Sequence, residues 1–170
     1  MNRLLIPFSF LILICYSCKK ESTELSTSVP RFAFYKLADS TMSATKAWTL
    51  PIDSLNLSSN PFLTEKDLTA YYWSMHSFTV HPTIDSIFSQ LCMLGGKSSG
   101  VPFVVVANGS RIYIAAFWWP YSSSMPMGAY IDACSAPPYI INREQLASLP
   151  DLRGDERIRN ALKSAGILVE

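Results

Sequence analysis

The stretch from Val101 to Trp118 constrains the fold of this chain more than any other. Val101-Pro-Phe-Val-Val-Val-Ala107 is rich in β-branched residues, Asn108-Gly109 follows, and Arg111-Ile-Tyr-Ile-Ala-Ala-Phe-Trp118 is strand-like again. A two-residue connection between paired strands requires positive φ at both positions, which Asn and Gly adopt at least cost. The spacing therefore predicts a tight antiparallel hairpin. Apolar residues occupy both faces of both runs, which places the hairpin in the interior of a sheet. Asn108-Gly109-Ser110 also fits a glycosylation acceptor, but the turn accounts for it better.

Around this hairpin, strand and helix signals alternate. Arg31 to Leu37 is aromatic-rich and reads as the first strand. Ala44 to Trp48 is ambiguous, and Leu50 to Asn60 is irregular or briefly extended. Thr64 with Asp67 approximates a capping box, and Leu63 and Leu68 take the staple positions. A helix carrying Leu68, Tyr71 and Tyr72 on one face is the expectation. From His76 the period is two, with His76, Phe78 and Val80 on one face and Ser77, Thr79 and His81 on the other. Pro82 ends that strand. Thr83 caps a second helix with the stripe Ile84, Ile87, Phe88 and Leu91 and a stop at Gly95-Gly96.

Beyond the hairpin, Pro120 to Gly128 is a loop, and Tyr130 to Ala133 and Tyr139 to Ile141 are strands. Asn142 caps a short helix ending near Leu149-Pro150. Asp155 caps the last helix, whose face is Ile158, Ala161, Leu162 and Ala165, with an Asp155–Arg159 pair and Gly166 as its close. Ile167 to Val169 returns as an edge strand. The pattern favours α+β: one domain over 31–170, built on a mainly antiparallel sheet with helices on one face.

The N-terminus has a different character. Met1-Asn2-Arg3 precedes an apolar run from Leu4 to Ile14, too short to span about 30 Å of hydrocarbon and interrupted by Pro7. Cys15-Tyr16-Ser17-Cys18-Lys19-Lys20-Glu21 follows. This segment resembles a bacterial lipoprotein signal, with Ser17 as the small residue before the acceptor Cys18. The resemblance implies removal of residues 1–17 and palmitate-type acylation of Cys18. It further implies anchorage in the cell envelope, on the inner or outer membrane, facing the periplasm or the surface. Each buried methylene contributes about 0.8 kcal/mol, so two or three acyl chains hold stably where one holds marginally. Residues 18–30 are polar and Ser/Thr-rich, and read as a tether between lipid and domain.

Composition narrows the function. Without residues 1–17 the chain keeps 153 residues, enough for one packed core. Arg3 is lost with the signal, leaving 13 basic against 13 acidic residues. Such a balance offers no electrostatic footprint for nucleic acid. Cys92 and Cys134 are the cysteines left over. In an oxidising compartment they can pair, or both can be buried thiols, and the sequence leaves both readings open.

Motifs that carry chemistry are weak here. Gly96-Lys97-Ser98-Ser99-Gly100 fits G-x-S-x-G, but a helix precedes it and a strand follows, the reverse of a nucleophile elbow. Ser43-Ala44-Thr45-Lys46 fits S-x-x-K without its partner motifs. His76 and His81 suit no zinc spacing. No catalytic residue, metal site or cofactor is expected. The aromatic cluster Trp118, Trp119 and Tyr121 is the candidate binding surface, since loop aromatics stack on sugars or grip partners. The alternative is that one Trp enters the core and the other packs under the loop.

Two family likenesses complete the reading. Pro61-Phe-Leu-Thr-Glu-Lys-Asp-Leu68, Pro102 to Val106 with Asn108-Gly109 and Arg111-Ile-Tyr113, and Ala161 to Glu170 resemble uncharacterised bacterial lipoproteins of similar length. The stretch from Pro61 to Tyr113 is similar in layout to the periplasmic head subdomain of SecD, which implies a ferredoxin-like arrangement. The leading expectation is a non-enzymatic, lipid-anchored module with a membrane contact through Cys18 and a protein or glycan partner. A small envelope hydrolase using Ser98 or a histidine, and an accessory factor for export or envelope assembly, are the alternatives.

Overall fold

The structure, a computed structural model, describes residues 29–93 and 98–170. The signal, Cys18, residues 19–28 and the Gly95-Gly96 stop lie outside the described residues. The aromatic run forms β1 (Phe32–Lys36), and the ambiguous stretch forms one helical turn, α1 (Ala44–Ala47), capped by Ser43. There follow β2 (Leu63–Thr64), β3 (Leu68–Tyr72), β4 (Ser77–Val80) and α2 (Pro82–Met93). Next come β5 (Val101–Ala107), β6 (Ser110–Trp118), β7 (Ala129–Asp132) and β8 (Tyr139–Ile140). The chain ends with α3 (Glu156–Ser164) and β9 (Leu168–Val169). The result is one α+β domain.

The central hairpin forms as its sequence demands: Asn108 and Gly109 have φ of 48° and 78°, joining β5 to β6. The strands make two sheets rather than the one expected. The first has the order β2-β1-β5-β6-β7 and the second β8-β4-β3-β9. Pairing is antiparallel except at β6–β7 and β3–β9. Since β7 runs parallel to β6, the 119–128 loop has to carry the chain back beside its own strand. The ferredoxin-like arrangement is not the one adopted, because β3 and β4 leave the hairpin's sheet and build the second.

Alternation along β5 and β6 sends side chains to both faces of the larger sheet. Phe103, Val105 and Phe117 join Phe34, Tyr71, Phe78, Tyr139 and Leu162 in the main core, between the two sheets, α2 and α3. Val104 and Val106 face Leu37, Ala47 and Leu55 on the other side, and Ala116 and Trp118 face Ala44 and Trp48. Helices thus lie on both faces: α2 and α3 on one, α1 on the other. With both faces covered, the hairpin can be apolar throughout.

Three local expectations do not hold. The capping box at Thr64 does form, with Thr64 N–H donating to Asp67 Oδ2 at 2.7 Å, but it closes only a 3-10 turn, Glu65–Asp67. Leu68 to Tyr72 then goes extended, because pairing with β4 buries Leu68 and Tyr71 as effectively as a helix stripe would. His76 lies outside β4, at φ 46° at the end of the Trp73–Met75 turn, and Ser77 is buried beside Phe78. The Asn142 helix is absent. Asn142 instead exchanges backbone hydrogen bonds with Tyr130, donating at 2.6 Å and accepting at 2.9 Å. Arg143 then ties up the carbonyls of Ala147 and Leu149 at 3.0 and 2.6 Å.

Helix ends shift in smaller ways. Thr83 lies inside α2, which begins at Pro82, a favoured first helical residue. Asp155 does cap α3, but its carboxylate also holds Arg157 at 2.7 Å, so Arg159 pairs with Glu170 at 2.9 Å.

Candidate functional site

The aromatic cluster divides between core and surface. Trp119 joins the main core at 3% exposure. Trp118, at 5%, packs on Trp48 across the other face, ring centroids 5.8 Å apart. Both indoles are thus mostly buried, although both residues still border the cleft beside the loop. The cause is strand alternation at the end of β6, which sends successive residues to opposite covered faces. Tyr121 is 63% exposed. Beside the loop lies a cleft of about 250 Å³ that includes Ser122, Met125, Tyr130, Asp132 and Glu144 in its walls. Tyr130 donates to Glu144 at 2.6 Å, and burial together with that bond pushes the phenol up to about 12.

The residues named for hydrolysis do not assemble. Ser43 accepts from Lys46 N–H as the cap of α1, a structural use of the hydroxyl. The carbonyl of Ser98 accepts from the hydroxyls of Ser122 and Ser124. His76 packs edge-on against Trp73, 5.9 Å between ring centroids, and His81 is exposed where α2 starts. Among the described residues no hydrogen bond links Ser98 with either histidine, and no group of three metal-ligating side chains occurs.

A second cleft, of about 190 Å³, opens where β6 outruns β7. Parallel pairing starts at Ala115 with Ala129, so Ile112 to Ile114 have no strand on their outer side. Trp48, Leu50, Ile52, Leu149 and Leu152 close the space as apolar walls. Trp48 Nε1–H donates to Ile114 O at 3.1 Å, capping one exposed carbonyl of the strand edge. Arg143, Tyr113 and Asp151 bring polar groups to this apolar cleft, the composition typical of small-molecule sites.

Those polar groups continue inward. The hydroxyls of Tyr71 and Tyr113, Nδ1 of His76 and Nε of Arg143 are buried without a hydrogen-bond partner. Burial pushes both phenols well above their ordinary range, against the nearby Arg153 guanidinium. Arg153 grips Asp151 in a fork, 2.9 Å at Nε and 2.7 Å at the far nitrogen, and also reaches Ile141 O at 2.8 Å. That fork holds the Asp151 carboxyl down at about 2.

Cys92 and Cys134 form a disulfide that joins the last turn of α2 to the loop after β7, Cα atoms 4.6 Å apart. Sequence reasoning missed Arg143 altogether. Its partners are backbone carbonyls, which leave no trace in residue type.

In comparison with known proteins, the chain matches no family model, no curated protein and no solved structure. Fold and clefts therefore carry the functional reading.

Proposed function

We propose that this chain is a non-enzymatic binding module of the bacterial cell envelope, held at a membrane by lipid on Cys18. The observation that carries the binding half is the cleft beside β6: apolar walls, a strand edge without a neighbouring strand, and buried polar groups left without partners. Proteins normally satisfy buried polar atoms, so the unfilled atoms of Tyr113 and Arg143 on an apolar cleft support the reading that a ligand binds there. The anchoring half rests on the Ser17-Cys18 resemblance and the polar stretch that follows it.

Each half has its own experiment. Metabolic labelling with a fatty-acid analogue is expected to mark the wild-type chain, with both label and membrane retention lost in Cys18→Ser. Retention of both overturns the anchor. For the cleft, a photoreactive residue is placed in living cells at Leu152, which lines it, or at Leu146, which is 86% exposed elsewhere. Adducts are expected at 152 and not at 146, and equal or absent adducts overturn the cleft as the binding site.

A further inference from the structure

The cleft beside β6 is apolar on most sides but contains one guanidinium that no carboxylate bonds directly. Asp151 lines it, is gripped by Arg153, and feels the Arg143 charge only through space. Arg143 lines it too, and among the described residues no acidic side chain lies within ion-pair distance of its guanidinium. The terminal nitrogens of Arg143 donate to the backbone carbonyls of Glu144, Ala147 and Leu149, so the group is fixed in place by dipoles alone. Its Nε–H is buried and has no acceptor. Tyr113, on the same cleft, is 7% exposed and its hydroxyl is likewise unfilled.

We infer that the cleft takes an aliphatic carboxylate, with its hydrocarbon body against Leu50, Ile114 and Leu149 and its carboxylate at Arg143. The inference rests on the reading of the domain as a binding module and adds the charge and class of the ligand. A partly buried guanidinium whose hydrogen bonds go only to neutral carbonyls gains most from an anion, because charge-assisted hydrogen bonds are about twice as strong as neutral ones. An alcohol of the same length fills the apolar space and forms only the weaker bond. An ammonium at the place of the carboxylate meets the like charge of Arg143. A small hydrophilic anion leaves the apolar walls uncovered, and those walls make up most of the site.

Trp48 reports on the site directly, since its indole N–H lies in the cleft wall. The full chain in lipid nanodiscs is titrated with hexanoate, hexanol and hexylammonium at pH 7 and fixed ionic strength, following the four indole N–H resonances. The Trp48 resonance is expected to shift with hexanoate at about tenfold lower concentration than with hexanol, the worth of replacing a neutral hydrogen bond by a charged one. Hexylammonium is expected to leave it unmoved. Arg143→Met should abolish the preference for hexanoate. Because that variant can loosen the 142–150 segment, Tyr113→Phe is the second probe, expected to weaken hexanoate about threefold and hexanol less. Hexanol equal to hexanoate overturns the carboxylate while leaving a binding cleft. A preference that survives Arg143→Met with the other indole signals unchanged overturns it as well. No shift with any of the three also overturns the inference, and adducts at Leu152 then decide alone whether the cleft binds something else.

Discussion

Gly128 lies directly under the Trp48 indole: a Cβ on Gly128 would come within 2.8 Å of Trp48 Nε1 and 3.2 Å of Leu149 Cδ1. The 119–128 loop can pass beneath Trp48 only because it ends on a residue without a side chain. Trp48 in turn seals the strand edge at Ile114 and makes one wall of the cleft. Gly128→Ala is therefore expected to push the indole off Ile114 and to cost about 1–3 kcal/mol, the usual penalty of overpacking. Urea unfolding measures it, read as a lower midpoint at constant slope. A wild-type midpoint would show that the loop yields freely.

Trp119 and Tyr121 stand two residues apart and should respond oppositely to truncation. Trp119 is buried in the main core, so Trp119→Ala is expected to cost about 3–5 kcal/mol. Tyr121 is 63% exposed, so Tyr121→Ala should change stability by no more than about 0.5 kcal/mol. Thermal unfolding of the two variants separates them, and comparable losses would place Tyr121 in the core as well.

The Cys92–Cys134 bond closes a loop with a sequence separation of 42 residues. In the chain-entropy account, a cross-link of that span restricts the unfolded ensemble by about 4 kcal/mol. Cys92→Ser with Cys134→Ser should lower stability by up to that amount, and reductant should do the same to the wild type and nothing to the double variant. Two thiols titratable in the unfolded, unreduced protein would overturn the bond.

Those elements were legible in sequence whose cause is local. The Asn108-Gly109 turn needs positive φ, Asp155 caps from its own side chain, and the run Val101 to Ala107 suits a strand wherever it lies. Misreadings arose where a distant partner decides. Leu68, Tyr71 and Tyr72 fit a helix face by spacing, and only the pairing of β3 with β4 and β9 makes them a strand. Asn142 has the chemistry of a cap, yet Tyr130 claims its backbone. The second sheet was invisible for the same reason. The cleft was invisible for another: it exists because β7 starts opposite Ala115 instead of farther back, a matter of register. Trp118 and Trp119 attracted attention by residue type, while burial gives both a packing role.

His76 and Asp151 both interact with the Arg153 guanidinium, and both shape how stability falls in acid. Burial, and then the charge of Arg153, holds the His76 imidazole below its usual range, with Asp151 opposing. A histidine with a depressed folded value binds its proton more weakly than in the unfolded chain. Its contribution is therefore fully present above about pH 6.5, the unfolded value, and is lost as pH falls toward the folded value. Asp151, held at about 2 by Arg153, adds a second and later loss as pH falls from about 4 toward 2. Urea midpoints measured from pH 8 to pH 3 are expected to show two separate declines. His76→Asn keeps a residue tolerant of φ 46° and should remove the first decline alone. Asp151→Asn should shrink the second, to which Asp155 held down by Arg157 also contributes, and lower stability at pH 7. A His76→Asn profile that still falls as pH drops below 6.5 would assign the first decline to a different group.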